Sequence, residues 1–198
     1  MVTEIGKQIK TALLFLLFFS VLTGLIYPAV VTLFAQLLFP YQANGSMLHS
    51  NGKTIGSTLI GQYFDDPHYF WGRPSATTPF PYNAANSSGS NMGPSNPDFL
   101  ATVKTRIATL RQYEQNKLNK QLIPVDLVTS SASGLDPEIS PEAALYQVPR
   151  IARSRAISEQ DITALIHQLI KQPTLFFLGE PRINVLELNL ALDNLNHE

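Results

Sequence analysis

The sequence contains no cysteine, so it can form neither a disulfide scaffold nor a thiolate site. Charge is also scarce, because charged residues make up 15% of the 198 residues while hydrophobic residues make up 44%. The missing charge is concentrated near the N-terminus, where no charged residue occurs in the 29 positions from Thr11 to Phe39. A hydrocarbon core about 30 Å thick needs about 20 apolar helical residues. This uncharged stretch therefore predicts a membrane-spanning helix.

A cleaved secretory signal and a buried core helix are the two alternatives to a membrane span. Signal peptides have an apolar centre of about 7–15 residues that ends at small residues. This stretch is longer, and Ala29 and Ala35 are each followed two positions later by a bulky residue. A core helix of this length rarely stays apolar on every side. The span is thus the better interpretation, and we expect Pro28 to kink it or to mark its outer third.

Basic residues near the apolar stretch predict its orientation in the membrane. Lys7 and Lys10 lie just before the stretch, whereas the first Lys or Arg after it is Lys53. Lys and Arg close to a span remain in the cytoplasm. We therefore expect a single-pass membrane protein with a cytoplasmic N-terminus. The expected parts are a tail over 1–10, a transmembrane helix over 11–39, and a periplasmic or extracellular domain over 40–198.

Two small residues in the span indicate where another helix can pack. Ser20 and Gly24 are four positions apart, and this spacing of small side chains allows a neighbouring helix to approach closely. The alternative is the ordinary small-residue content of a membrane helix. The stretch carries no ionisable residue, so it cannot form an ion path alone.

The part of the chain beyond the span has a nearly balanced charge and a mixed pattern. Removing Glu4, Lys7 and Lys10 from the totals of 14 basic and 15 acidic residues leaves 12 and 14, which gives no reason to expect nucleic acid as a partner. Helix-start signals and short apolar runs alternate, which predicts a single α+β domain. Strands are expected at Gly56–Gly61, Pro124–Val128 and Arg182–Leu188.

Three helices are expected from capping signals. Asn96, Ser140 and Ser158 are placed to cap them, and the first helix should continue to about Lys117. Pro149 should kink the second helix or divide it. Residues 72–98 are rich in Pro, Gly, Asn and Ser, and a loop of this length is usually either functional or disordered.

Enzyme signatures are missing from this domain. Gly52-Lys53-Thr54 resembles the end of a phosphate-binding loop, but Met47 stands where that loop needs a glycine. No G-x-S-x-G nucleophile elbow occurs, and the four histidines are too far apart along the chain to predict a metal site. We therefore expect no catalytic residue and no bound metal, which suggests an accessory subunit.

Five blocks of the sequence follow one another after the predicted membrane helix: GSTLIGQYF (Gly56–Phe64), YFWGRPSA (Tyr69–Ala76), SSGSNMGPSNPDF (Ser87–Phe99), PVDLVTSSASGLDPEISPEAALYQVPRIARSR (Pro124–Arg155) and GEPRINVLELNLALD (Gly179–Asp193). Together, in this order, they resemble the C subunit of the bacterial potassium-transporting Kdp ATPase, the KdpC family. The resemblance covers nearly the whole chain.

The resemblance implies an accessory subunit of a high-affinity, ATP-driven K⁺ import complex in the bacterial inner (plasma) membrane. Its partners would be a channel-like K⁺-binding subunit and a P-type ATPase subunit, so ATP and K⁺ act at the level of the complex and this chain binds no cofactor of its own. The family is described as a catalytic chaperone that raises the ATP affinity of the ATPase subunit, which makes Gln147 the candidate nucleotide-linked residue. The alternative for Gln147 is ordinary hydrogen bonding within its helix.

The predicted orientation conflicts with direct nucleotide contact, because ATP is cytoplasmic and the domain is expected outside. A purely structural cap near the K⁺ entrance, with no nucleotide role, is therefore the alternative function. A free-standing membrane-anchored hydrolase or binding protein is a third class. Arg73, Arg150 and Arg153 are candidate interface anchors, since arginine side chains pair well across protein contacts, although solvated surface arginines are commoner.

Overall fold

The computed structural model describes residues 2–50, 52–113 and 122–195. The chain forms two compact units, Met1–Ile55 and Gly56–Glu198, and each is described by itself. The first unit is mostly one long helix, and the second is a mixed unit of helices and short strands. The predicted class, α+β with one apolar N-terminal helix, is confirmed.

The long helix consists of three segments that follow one another without a break. They are α1 (Val2–Val21), a π-helical turn (Leu22–Ile26) and α2 (Tyr27–Leu38). From Glu4 to Leu38 the helix is long and apolar enough to cross a membrane, and none of its side chains is buried within the chain. The predicted long apolar helix is thus present, and it begins before the uncharged stretch. Apolar side chains exposed on every side require lipid or another protein around them.

Pro28 lies in the last third of the long helix, directly after the π-helical turn. Proline donates no backbone hydrogen bond, and its ring crowds the carbonyl four residues earlier. In the π-helical turn the Tyr27 N–H instead donates to the Leu22 carbonyl, five residues back. The helix therefore continues through the proline with one widened turn.

Two short strands follow the long helix after a brief turn, α3 (Pro40–Ala43). They are β1 (Met47–Ser50) and β2 (Lys53–Ser57), which form a two-stranded sheet. The strand predicted at Gly56–Gly61 is wrong, since β2 starts earlier and ends at Ser57. The Ser57 hydroxyl accepts a hydrogen bond from the Leu59 N–H at 3.1 Å, which turns the chain out of the strand.

The core of the second unit lies among three helices: α5 (Pro141–Arg155), α6 (Glu159–Leu169) and α7 (Val185–Leu195). Helix α6 packs against both α5 and α7, and its apolar stripe is buried at Ile162, Leu165 and Ile166. The largest fully buried apolar side chains are those of Phe70, Ile151, Ile162, Ile166, Ile183, Leu188 and Leu192.

The predicted helix caps are confirmed at all three sites. The side chains of Asn96, Ser140 and Ser158 each accept a hydrogen bond from a backbone N–H two or three residues further on. Asn96 starts α4 (Pro97–Gln112), whose predicted end at Lys117 lies outside the described residues. Pro149 does not divide α5, which remains one α-helix held by buried side chains on both sides of the proline.

Two of the predicted strands are shorter or absent. Pro124–Val128 forms a 3₁₀ turn at Val125–Leu127 rather than a strand, and the Asp126 carboxylate accepts a hydrogen bond from the Ser140 N–H at 2.7 Å. This bond holds the segment against the start of α5 instead of against a sheet.

The segment predicted as a strand at Arg182–Leu188 pairs over two residues only. Strand β4 (Ile183–Asn184) lies antiparallel to β3 (Glu138–Ile139). The Asn184 side chain then accepts a hydrogen bond from the Glu187 N–H at 3.0 Å. This N-cap ends the strand and starts α7.

Residues 72–96 contain no helix or strand, and the last two residues of the predicted loop already belong to α4, yet side chains fix this loop to the rest of the unit. The Ser75 hydroxyl donates to the Gly134 carbonyl at 2.7 Å and accepts from the Tyr82 N–H at 2.9 Å. The Ser87 hydroxyl donates to the Ser133 carbonyl at 2.9 Å. The loop is therefore ordered by polar contacts rather than by an apolar core.

Candidate binding cleft around Trp71

Gln147 lies in α5 and is 2% exposed. Its Oε1 accepts from the Trp71 N–H at 2.8 Å, and its Nε2 donates to the Trp71 carbonyl and to the Ala143 carbonyl, both at 3.1 Å. Arg150 Nη2 donates to the same Oε1 at 2.6 Å. An amide side chain offers two donors and two acceptors, so its capacity is used in full. The structure therefore leaves Gln147 no free group for a nucleotide.

A second buried amide holds the residue next to Trp71. Asn189 of α7 accepts from the Phe70 N–H at 2.8 Å and donates to the Phe70 carbonyl at 3.0 Å. Phe70 and Trp71 are thus bonded through their backbones to two different helices. Sequence analysis did not single out Asn189. The sequence feature that could have indicated it is the position of this asparagine between leucines in the apolar run of α7.

Arg150 is 7% exposed and lies inside the unit, so it cannot serve as the surface anchor expected from the sequence. Its Nη1 donates to the Pro67 carbonyl at 2.6 Å, and its guanidinium carbon lies 4.2 Å from the centre of the Trp71 ring. Burial lowers the pKa of Arg150 to about 10, which keeps the side chain charged at neutral pH. Cation–π contact and hydrogen bonds together fix one side of Trp71.

The other two predicted anchors lie nearer the surface. Arg73 Nη1 pairs with Asp136 Oδ2 at 3.1 Å, while its Nε is buried without a hydrogen-bond partner. Arg153 donates from Nε to the Pro149 carbonyl at 2.9 Å and from Nη2 to the Tyr113 carbonyl. Both arginines make contacts within their own chain, and their contact with another subunit stays a prediction.

Trp71 forms part of the wall of an open cleft of about 460 Å³. Aromatic rings line much of it, together with two arginines and one acidic residue; these are Tyr63, Phe64, Trp71, Tyr82, Tyr113, Arg73, Arg106 and Asp65. The Trp71 and Tyr113 rings meet edge to face, with centres 5.3 Å apart. Aromatic faces can stack on a planar or apolar group, and arginines can pair with an anion.

The polar groups of this cleft are held in place by the protein. Tyr82 donates its hydroxyl to the Arg73 carbonyl at 2.6 Å, and burial raises the pKa of Tyr82 to about 12. Arg106 donates to the Val128 carbonyl at 2.9 Å, and burial lowers the pKa of Arg106. The cleft therefore presents fixed polar groups beside its aromatic faces.

In the membrane helix, Ser20 ends up on α1 and Gly24 inside the π-helical turn. A Cβ atom added to Gly24 would meet nothing within 4 Å. The chain itself thus leaves the space beside Gly24 open. Within residues 2–50, 52–113 and 122–195, no three His, Asp or Glu side chains come together in an arrangement that could hold a metal ion.

An exposed apolar helix followed by an α+β unit with an aromatic cleft defines the class: a protein with one helix long and apolar enough to span a membrane and an attached α+β unit. Comparison with known proteins identifies the family. The family model described as KdpC, K⁺-transporting ATPase, c chain, matches residues 9–194. The chain is therefore a member of the KdpC family.

Curated relatives agree with this assignment over almost their full length. The potassium-transporting ATPase KdpC subunit of Herpetosiphon aurantiacus is 56% identical over 186 residues, which cover 94% of this chain and 95% of the relative. The KdpC subunit of Methylococcus capsulatus is 55% identical over 189 residues, with 96% and 98% covered. That of Paraburkholderia xenovorans is 56% identical over 176 residues, with 89% and 91% covered. The predicted family is confirmed.

Proposed function

We propose that this chain is a non-catalytic accessory subunit that assembles and stabilises an ATP-driven K⁺ import complex. Its membrane helix packs against the channel-like subunit, and its outer domain caps that subunit near the K⁺ entrance. The observation that carries the proposal is the long helix, whose apolar side chains are exposed from Glu4 to Leu38. Family membership supplies the complex in which such a helix would be covered.

The space beside Gly24 supports helix packing at that point. Small residues allow two helix backbones to approach, and association within a membrane depends on such close packing rather than on the hydrophobic effect. Ser20 is one turn away, and the widened turn at Leu22–Ile26 interrupts the regular surface of the helix. A π-helical turn often occurs at a functional position.

Lys7 and Lys10 support placing the outer domain across the membrane from ATP. Lys7 pairs with Glu4 at 2.9 Å, but acidic residues contribute little to orientation, so the basic bias remains. The domain would then act on the K⁺-facing side of the complex.

Replacing Gly24 with leucine tests the packing proposal. The complex is purified from cells that carry Gly24→Leu, and the recovery of each subunit and the K⁺ uptake of the cells are measured. We expect both to fall, because the added side chain fills the space that a neighbouring helix needs. Gly6→Leu is the matched control, since Gly6 also has open space around it but precedes the uncharged stretch. Unchanged recovery and uptake for Gly24→Leu would contradict the proposal.

A second candidate function is to raise the ATP affinity of the ATPase subunit. The observation in its favour is the cleft, in which aromatic rings and two arginines offer the contacts that a nucleotide base and its phosphates use. Gln147 would then act indirectly, by holding Trp71 in the cleft wall. This candidate requires the domain to reach nucleotide, which the predicted orientation opposes.

Nucleotide titration of the complex decides between the two functions. The ATP affinity of the ATPase subunit is measured without this chain, with it, and with Gln147→Ala. A purely structural cap predicts equal affinities in all three cases. A higher affinity with the intact chain that is lost in Gln147→Ala would instead favour the nucleotide-linked function.

A further inference from the structure

A hairpin projects from the second unit between α6 and β4. Its arms are joined by antiparallel bridges between Lys171 and Arg182 and between Thr174 and Leu178. The backbone bonds of the inner bridge measure 3.0 Å and 2.9 Å. The residues at its end, Leu175–Leu178, are called the apolar tip.

The four side chains of the apolar tip are exposed to solvent. Their exposed fractions are 67% for Leu175, 94% for Phe176, 75% for Phe177 and 50% for Leu178. Consecutive exposed side chains of this size form an apolar patch that is unusual on a free soluble surface. Isolated exposed apolar residues are common, but a hairpin that carries four together marks a contact site.

The backbone of the apolar tip also argues for a role of its side chains. Leu175 and Phe176 have φ angles of 54° and 68°, in the left-handed region that favours glycine and asparagine. Glycine at both positions would form this turn with less strain. Bulky residues in strained turns are often found at ligand contacts, where the side chain is needed.

We infer that the apolar tip is a docking element that inserts into an apolar groove of a partner subunit of the K⁺-transporting complex. The inference rests on the proposed accessory function, which supplies the partner. It deepens that function by naming the contact through which the outer domain is held.

Two observations favour a protein groove over the lipid bilayer. The basic residues nearest the tip are already paired, Lys171 with Glu187 at 2.7 Å and Arg182 with Glu138 at 3.0 Å, so they do not offer free charge to anionic headgroups. In the described part of the chain, the N–H groups of Leu175 and Phe177 have no backbone acceptor. Hydrocarbon cannot supply acceptors for them, whereas a protein groove can.

The first arm of the test removes the two aromatic side chains in the assembled complex. Asparagine accepts the left-handed backbone at Phe176, so Phe176→Asn with Phe177→Ser keeps the turn while it removes the apolar surface. The amount of chain retained on the immobilised complex is measured after extended washing. We expect the complex to retain at least tenfold less of this variant than of the unaltered chain. Leu122→Ser is the matched control, because Leu122 is 90% exposed and lies outside the hairpin. Equal retention of both variants would overturn the inference.

The second arm uses the absence of cysteine from the chain. Phe177→Cys carries an environment-sensitive fluorophore, and its quenching by iodide is compared between the isolated chain and the whole complex in the same membrane. We expect at least fivefold weaker quenching in the complex and no quenching by brominated lipids. Quenching by brominated lipids would assign the tip to the bilayer, and unchanged iodide quenching would show it to be free; either result overturns the inference.

The two failures are distinguishable. If the complex retains the chain and transports K⁺ while the tip stays open to iodide, the docking inference fails and the accessory function stands. If the unaltered chain does not copurify with the complex, the proposed function itself fails.

Discussion

Replacing Gln147 with leucine should destabilise the second unit strongly, although the two side chains have almost the same volume. The substitution removes the acceptor of the Trp71 N–H, the donor to the Trp71 carbonyl and the acceptor of Arg150 Nη2. A buried neutral group left without a partner costs about 1–3 kcal/mol, and a charged one costs more. The N–H and carbonyl groups of Trp71 are partly buried, so the lower end of this cost applies to each of them. The expected loss is about 3–5 kcal/mol of the free energy of unfolding.

Trp71 also provides the assay, because it is the single tryptophan of the chain. Urea unfolding of the full chain in detergent is followed by its fluorescence, and the free energy of unfolding is obtained by linear extrapolation. Gln168→Leu is the control, since Gln168 lies exposed on α6 and its replacement should change stability by less than about 0.5 kcal/mol. A loss below about 1 kcal/mol for Gln147→Leu would refute the assignment of Gln147 as the residue that anchors Trp71.

Three further predictions use the same unfolding assay. Asn189→Leu removes both bonds to the Phe70 backbone and should cost about 2–4 kcal/mol; a value near zero would show that Phe70 is held by packing alone. Gly134→Ala should cost about 2–4 kcal/mol, because φ is +66° and the new Cβ would lie 2.6 Å from the Ser88 carbonyl oxygen; a neutral result would contradict the tight contact between the loop and this turn. Burial raises the pKa of Tyr82 to about 12 in the folded chain, whereas the unfolded value is near 10. The contribution of the neutral phenol to the free energy of unfolding is therefore fully present below pH 10 and is lost as the pH rises from 10 to 12. Between pH 9 and pH 11 the unaltered chain should lose about 1.4 kcal/mol more stability than Tyr82→Phe, and equal losses would contradict the burial of the phenol.

The features that sequence analysis predicted are those set by neighbouring residues. The caps at Ser140 and Ser158 depend on a side chain that reaches a backbone N–H three residues away, so the local sequence contains the whole interaction. The membrane helix follows from composition alone. The strand predicted at Pro124–Val128 was wrong because five apolar-rich residues carry too little periodicity to separate a strand from a single helical turn.

The candidate site depends on contacts between distant parts of the chain. Trp71 and Gln147 are 76 positions apart, and Phe70 and Asn189 are 119 apart, so no local pattern could pair them. The resemblance drew attention to Gln147, but only the fold shows that its amide holds a backbone segment. Arg150 was expected at the surface because arginines are rarely buried, and here the Trp71 ring and two oxygen acceptors compensate for its burial.

We propose that the long helix anchors the chain and leaves the second unit on the opposite side of the membrane from ATP. Because the chain has no cysteine, single cysteines report sidedness directly in intact spheroplasts treated with a membrane-impermeant maleimide. We expect Leu122→Cys to be labelled in intact spheroplasts and Gly6→Cys to be labelled only after lysis. Labelling of Gly6→Cys alone in intact spheroplasts would place the second unit in the cytoplasm, and it would contradict the proposed cap.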